Sequence, residues 1–271
     1  MLKKLFSLPA EVYQNRRLVL KLAKNDFKTK YAGSYLGIVW AFIQPIVTIL
    51  VYWFVFSVGF RADTGALGIP FVLYLVAGIV PWFFFQDALN GGTNALLEYN
   101  YLVKKVVFKI SVLPIVKIVS AAFVHVFFVA FIILLYIFYG RFPDFYYLQL
   151  VYYSGCLFVL VLGLCYMTCS VVVFFRDLTQ IINIALQVGI WLTPIMWVSE
   201  NVLGPDSLLG KILKLNPIYY VVSGYRDAFI FKEWFWEHPW WTLYFWVFTA
   251  VCFLFGGWVF KRLKIHFADV L

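Results

Sequence analysis

An all-helical integral membrane protein with six crossings is predicted by three observations: apolar composition, six hydrophobic runs of spanning length, and basic residues gathered on alternate loops. Of 271 residues, 64% are hydrophobic and 13% charged, with a mean hydropathy of +0.88. Soluble domains are about half apolar and a quarter charged, so this chain is built for lipid. A hydrocarbon core of about 30 Å needs roughly 20 apolar residues per helix. Six such runs leave no room for a separate soluble domain, which predicts one membrane domain over residues 1–271.

Residues 9–30 read as an amphipathic interface helix, where Leu18, Leu20 and Leu22 share the segment with Arg16, Arg17, Lys21, Lys24, Lys28 and Lys30. Such a segment lies on a membrane surface or against a partner. Lys3 and Lys4 precede only Leu5–Leu8 before Pro9, too short for a cleavable signal peptide. The six-span region covers residues 36–260. Its spans run over about Leu36–Phe56, Ile69–Ala88 (interrupted by Pro81), Ile118–Tyr139, Leu148–Phe175, Ile181–Val198 and Trp240–Phe260.

With both termini in the cytoplasm, the inner side carries sixteen of the 22 Lys and Arg residues. The outer side holds only Arg61, Arg141, Lys211, Lys214, Arg226 and Lys232. The acids divide almost evenly, so the bias is one of Lys and Arg, as the positive-inside rule requires. The net charge of +9 is therefore explained by topology and anionic lipid, and nucleic acid is not implied. Residues 89–117 read as a long cytoplasmic loop opened by Gly91-Gly92. Residues 199–239 form an aromatic-rich outer segment, with short outer helices at Leu208–Leu215 and Ile218–Ile230 bounded by Pro205 and Asn216-Pro217.

Catalysis is disfavoured. Within the spans only His125 is ionisable in the acid–base sense, with Asp87 at the end of the second, and a lone histidine reads as packing. Hydrolase and metalloprotease motifs are missing. Gly204–Lys211 imitates a phosphate loop, but five residues separate its glycines and Ile212 stands where Ser or Thr would bind magnesium. Any ATP-driven work must come from another polypeptide. Cys156, Cys165, Cys169 and Cys252 lie inside apolar runs and read as small buried hydrophobes, without the spacing of a metal site.

Two polar faces remain. Gln180, Asn183, Gln187 and Trp191 fall on one stripe of the fifth span. Trp40, Gln44, Thr48 and Tyr52 recur every four residues along the first. Amides that bond hydroxyls and rings that stack on C–H faces suit a hydrated sugar path. The same residues also suit helix–helix hydrogen bonding, and the spacing does not decide between the two.

The run Tyr31-Ala-Gly-Ser34-Tyr-Leu36-Gly37-Ile-Val-Trp40, followed by Pro45, resembles the signature of type 2 ABC exporter permeases for surface polysaccharides: the teichoic-acid, O-antigen and capsule permeases. Further matches are Gly78-Ile-Val-Pro81-Trp82-Phe83, Lys104-Lys105 before Pro114, Phe175-Arg176-Asp177, Pro194, Asn216-Pro217 and Tyr225-Arg226-Asp227. They fall in order across nearly the whole chain. At Val106-Val107-Phe108-Lys109 the sequence departs from relatives that often carry proline after the phenylalanine.

The resemblance implies a homodimer working with two copies of a separate ATPase, which binds the ATP and magnesium, in a bacterial cytoplasmic membrane. It implies that the interface helix, with Asp26, and the loop with Lys104 and Lys105 face that ATPase. The implied cargo is a polymer on undecaprenyl diphosphate, with teichoic acid the first choice and O-antigen or capsular polysaccharide the second. Arg16, Arg17, Lys24 and Lys28 are then candidates to attract the diphosphate headgroup. The alternatives are a membrane transferase acting on a lipid-linked substrate and a drug-type exporter permease.

Overall fold

The computed structural model describes residues 15–61, 68–103, 109–198 and 207–271. Every regular element among them is helical. Five helices are long and apolar enough to cross a membrane: Gly37–Gly59, Phe71–Glu98, Ile110–Phe138, Phe145–Val172 and Pro239–His266. They correspond to the first four expected spans and the sixth.

The expected fifth span is shorter. Its helix is Leu178–Leu192, 15 residues and so about 22 Å, and it stops where Thr193 adopts an extended conformation before Pro194. Thr193, Pro194, Ile195 and Met196 are all buried, so this non-helical stretch is enclosed by protein.

The second span is the central post. Within its most apolar window 78% of residues are buried, against 11% for the first span. Leu73, Leu75, Val76, Ala77 and Ile79 have no exposed surface. The expectation that this span ends near Ala88 and that Gly91-Gly92 opens a loop is corrected. The helix continues to Glu98, with Pro81 inside it. Gly92 is a notch and not a break: a Cβ there would collide with the Sγ of Cys165 on the fourth span. Beside it the Thr93 and Thr168 hydroxyls meet at 2.8 Å. Pro114 lies in the first turn of the helix Leu113–Phe138, where its missing N–H costs nothing.

Gly163 and Gly256 let the fourth and sixth spans approach backbone to backbone. A Cβ on Gly256 would overlap the Gly163 carbonyl oxygen, and one on Gly163 would sit 2.9 Å from the Phe253 nitrogen. Small residues are how membrane helices gain contact without a hydrophobic driving force. Gly256→Ala is expected to pry these helices apart and destabilise the fold by about 1–3 kcal/mol, the usual cost of overpacking. The check is the melting temperature of the purified protein in detergent.

The interface helix is Arg16–Lys30, with Val19, Ala23 and Asp26 on its buried side. It packs on Val112, Ile115 and Val116 where the third span begins. Residues 9–14 of the expected helix lie outside the described residues. The turn from this helix into the first span needs Gly37 at φ +52°, a conformation that carries little cost only for glycine. The two helices expected on the outer side are Leu208–Lys214 and Pro217–Arg226, the second continuing as a wider turn through Asp227–Phe231. Asn216 caps the second: its Oδ1 accepts from the Ile218 N–H at 3.0 Å. All four cysteines are free thiols, three of them buried.

Candidate functional site

A cavity of about 430 Å³ lies between the first three spans, and Trp40, Gln44, Thr48 and Tyr52 all line it. The polar stripe read from the sequence is thus one wall of a real space. Helical repetition every four residues aligns these side chains, and the Thr48 hydroxyl back-bonds to the Gln44 carbonyl at 3.0 Å. Across from them stand Gln86, Asp87 and Asn90 of the second span and His125 of the third.

At one end of the cavity Lys30 of the interface helix forms an ion pair with Asp87. Burial pulls the lysine pKa down, but the Asp87 carboxylate more than offsets this and holds it above the ordinary value. Deeper in, His125 is 6% exposed. Its Nε2 lies 3.1 Å from the Ser154 hydroxyl and 3.0 Å from the Tyr225 hydroxyl, which are 2.6 Å from each other. The expectation of a packing histidine is met in part, since this triad ties the third and fourth spans to the second outer helix. Yet His125 Nδ1 and Asn90 Oδ1 are buried with no hydrogen-bond partner among the described residues, and both residues line the cavity. Buried polar atoms are nearly always satisfied, so these two are open hydrogen-bonding positions at the cavity wall.

The stripe on the fifth span lies elsewhere. Gln180 and Gln187 are exposed, Asn183 is half-buried, and Trp191 is 52% exposed. The same helix turns Ile182 and Leu186 inward, and only its Ile190 reaches the cavity. Trp191 approaches Phe56 of the first span, ring centroids 6.4 Å apart.

Arg16, Arg17, Lys24 and Lys28 are all exposed on the interface helix. Lys104 and Lys105 lie outside the described residues. Asp26, expected at the ATPase surface, is corrected: it is buried, 2.6 Å from the Lys117 ammonium and 2.8 Å from the Tyr99 hydroxyl. Its carboxylate is committed to its own chain and anchors the interface helix.

Sequence reasoning missed the Lys30–Asp87 pair, the His125–Ser154–Tyr225 triad and the role of Arg226. Arg226 is 4% exposed. Its guanidinium donates to the Pro194 and Ile195 carbonyls at 2.8 and 2.9 Å and stacks 3.6 Å from the Tyr74 ring centroid. The available signal was the run Tyr225-Arg226-Asp227, whose partners are about 30 to 150 residues away in the chain.

Comparison with known proteins adds the family. The sequence is 29% identical over 223 residues to the O-antigen export system permease protein RfbA of Myxococcus xanthus, covering 82% of this chain and 84% of that protein. It is 24% identical over 259 residues to the O-antigen export system permease protein RfbA of Klebsiella pneumoniae, covering 94% and 95%. The family model described as ABC-2 type transporter matches residues 17–230, which takes in the cavity, the interface helix and the Arg226 clamp. The chain belongs to the ABC-2 type transporter family.

Proposed function

We propose that this chain is the permease subunit of an ATP-driven exporter that moves a lipid-linked surface polysaccharide from the cytoplasm outward. Relatives named for O-antigen export support that polymer class over teichoic acid, the first choice implied by the resemblance. The observation that carries the reading is the first-span stripe of amides and rings lining a 430 Å³ cavity in a helix whose remaining surface is largely uncovered.

Exposed amides on the fifth span have no place against lipid, where a polar group without a partner costs several kcal/mol. A second copy of the chain, laid against the first and fifth spans, would cover them and bring both stripes onto one path. Leu178–Leu192 with the buried stretch after it serves as the fifth of six crossings, and both termini lie on the cytoplasmic side of a bacterial cytoplasmic membrane. Two ATPase subunits, holding the ATP and magnesium, dock beneath the interface helix and the loop carrying Lys104 and Lys105. Arg16, Arg17, Lys24 and Lys28 draw the anionic diphosphate lipid to the cytoplasmic mouth.

Export per assembled complex tests this. Gln44→Leu, Gln187→Leu and Trp191→Ala are expected to assemble and hydrolyse ATP yet export severalfold less polymer, with Trp191→Phe better than Trp191→Ala because a ring face survives. If the stripes only join helices, each leucine variant instead loses on the order of 1 kcal/mol of stability. Export per complex would then be unchanged, and the path reading fails.

A further inference from the structure

A second pocket, of about 320 Å³, is lined by residues other than those of the first. That volume is at the small end of ligand sites. It lies between the second outer helix and the fourth and sixth spans, and nothing in the export path as proposed uses it. Tyr153, 1% exposed, forms its floor. Gly224 makes room for that ring, since any Cβ there would overlap it.

Tyr220 is fixed beside Tyr153. Its ring stacks on Phe245 at 4.8 Å, and its hydroxyl meets those of Tyr152 and Thr242 at 3.2 and 3.0 Å. Tyr219 and Trp241 stand at the rim, Trp241 being 36% exposed. These rings are held in place without a ligand, so little ordering entropy is lost on binding.

The polar side of the pocket is uneven. Glu233 is paired with His238 at 2.8 Å. Asp227 lines the same space, and among the described residues no donor or cation meets its carboxylate. A half-buried carboxylate left unpaired beside aromatic faces is an acceptor without a donor.

We propose that this pocket is an outer-side subsite for one sugar ring of the polymer, with Asp227 accepting its hydroxyl protons while Trp241 and Tyr219 take its C–H face. The proposal rests on the reading that the cargo is a glycan, and it adds a place where the emerging chain is held after crossing. Carboxylate-to-hydroxyl bonds are among the stronger hydrogen bonds, and aromatic rings supply apolar area with fixed geometry.

Protonation gives the site a signature. Burial, with Glu233 adding to it, raises the Asp227 carboxyl to about 7, against the opposing pull of His238 and Arg226. Glu237 also acts on it, and Lys214 lines the pocket. An acid with a raised pKa is neutral below that value and ionised above it. Sugar binding therefore strengthens as pH rises through about 7.

The test uses the whole permease with its ATPase in lipid nanodiscs and the methyl glycosides of glucose, galactose, mannose and rhamnose as probes. Binding is followed by saturation-transfer NMR at pH 5.5 and pH 8. At least one glycoside is expected to bind more tightly at pH 8. Asp227→Asn, which keeps the shape and removes the charge, is expected to weaken it at least about tenfold and to abolish most of the pH dependence, leaving only what the Glu233–His238 pair contributes. Trp241→Ala is expected to weaken it similarly, and Trp241→Tyr to restore much of the loss.

Glycoside binding unaffected by Asp227→Asn and Trp241→Ala overturns the subsite, while the export reading, judged by Gln44 and Trp191 variants, stands untouched. No glycoside binding to the native complex overturns it as well. Tetramethylammonium binding that depends on Asp227, with no glycoside bound, would make the pocket a cage for organic cations and overturn the sugar assignment.

Discussion

Asp26→Ala is expected to loosen the interface helix from the membrane domain and lower stability by about 3 kcal/mol. The side chains of Asp26 and Lys117 are 7% and 10% exposed, so each charge is satisfied mainly by its protein partners. Burial first, and the Asp26 carboxylate second, hold the Tyr99 phenol above its usual range, which keeps it protonated and donating to Asp26. Alanine removes both bonds and leaves the Lys117 ammonium with Glu98 alone, a residue that is 52% exposed and already in contact with it.

That remaining partner places the loss at the low end of the range for breaking a buried pair, about 3–5 kcal/mol. The gain in helix propensity from aspartate to alanine, roughly 0.5 kcal/mol, is too small to compensate. Asp26→Asn should lie between the two, since its amide oxygen still accepts from Tyr99. The measurement is the melting temperature of the purified complex, with proteolysis of the interface helix followed in parallel. An alanine variant that melts and resists protease like the parent would show that the Asp26–Lys117 contact does not hold this helix.

Much of this architecture was legible from local pattern. Hydrophobic runs located five spans to within a few residues at most ends, because a helix in lipid must satisfy its own backbone and its length is set by the bilayer. The first-span stripe was legible for the same reason: a period of four places Trp40, Gln44, Thr48 and Tyr52 on one side wherever the helix goes.

What failed were inferences from residue type where tertiary packing decides. Gly91-Gly92 reads as a break because glycine is a poor helix former, but the Cys165 side chain occupies the space a Cβ would need. The fifth span was read through to Val198 because its apolar character continues, and hydropathy does not register that Pro194 and Ile195 offer their carbonyls to a distant arginine. The resemblance puts Asp26 at the ATPase surface, and nothing local shows that its partner is Lys117 on another helix. The second wall of the cavity shares this limit, since Asp87 and His125 acquire meaning only from Lys30, Ser154 and Tyr225.

Arg226→Met is expected to release the outer end of the fifth span and cost about 3 kcal/mol. An arginine inside a membrane domain is expensive and marks a functional or organising position. Here it is spent on the two carbonyls that follow a broken helix, Pro194 and Ile195. Two other ties hold the same segment: Asn216 Nδ2 donates to the Thr193 hydroxyl at 2.9 Å, and the Tyr74 hydroxyl reaches the Trp197 carbonyl at 3.4 Å.

Methionine fills the volume but leaves two buried carbonyls without their donor, at about 1–3 kcal/mol each. Relief of a buried cation whose Nε has no partner among the described residues returns part of that, so the net falls near the middle. Lysine is the informative comparison. It keeps the charge but not the fork that reaches two carbonyls at once, nor the plane that stacks on Tyr74, and it should rescue little. The space around the guanidinium is equally specific: a Cβ at Gly78 would stand 2.9 Å from its Nη2, so Gly78→Ala should mimic a weakened clamp. Because Asn216 and Tyr74 still hold the segment, the methionine variant should assemble at low temperature, yet melt several degrees lower and export less polymer per complex. Melting and export both equal to the parent would mean that these two ties suffice and the guanidinium is not the clamp.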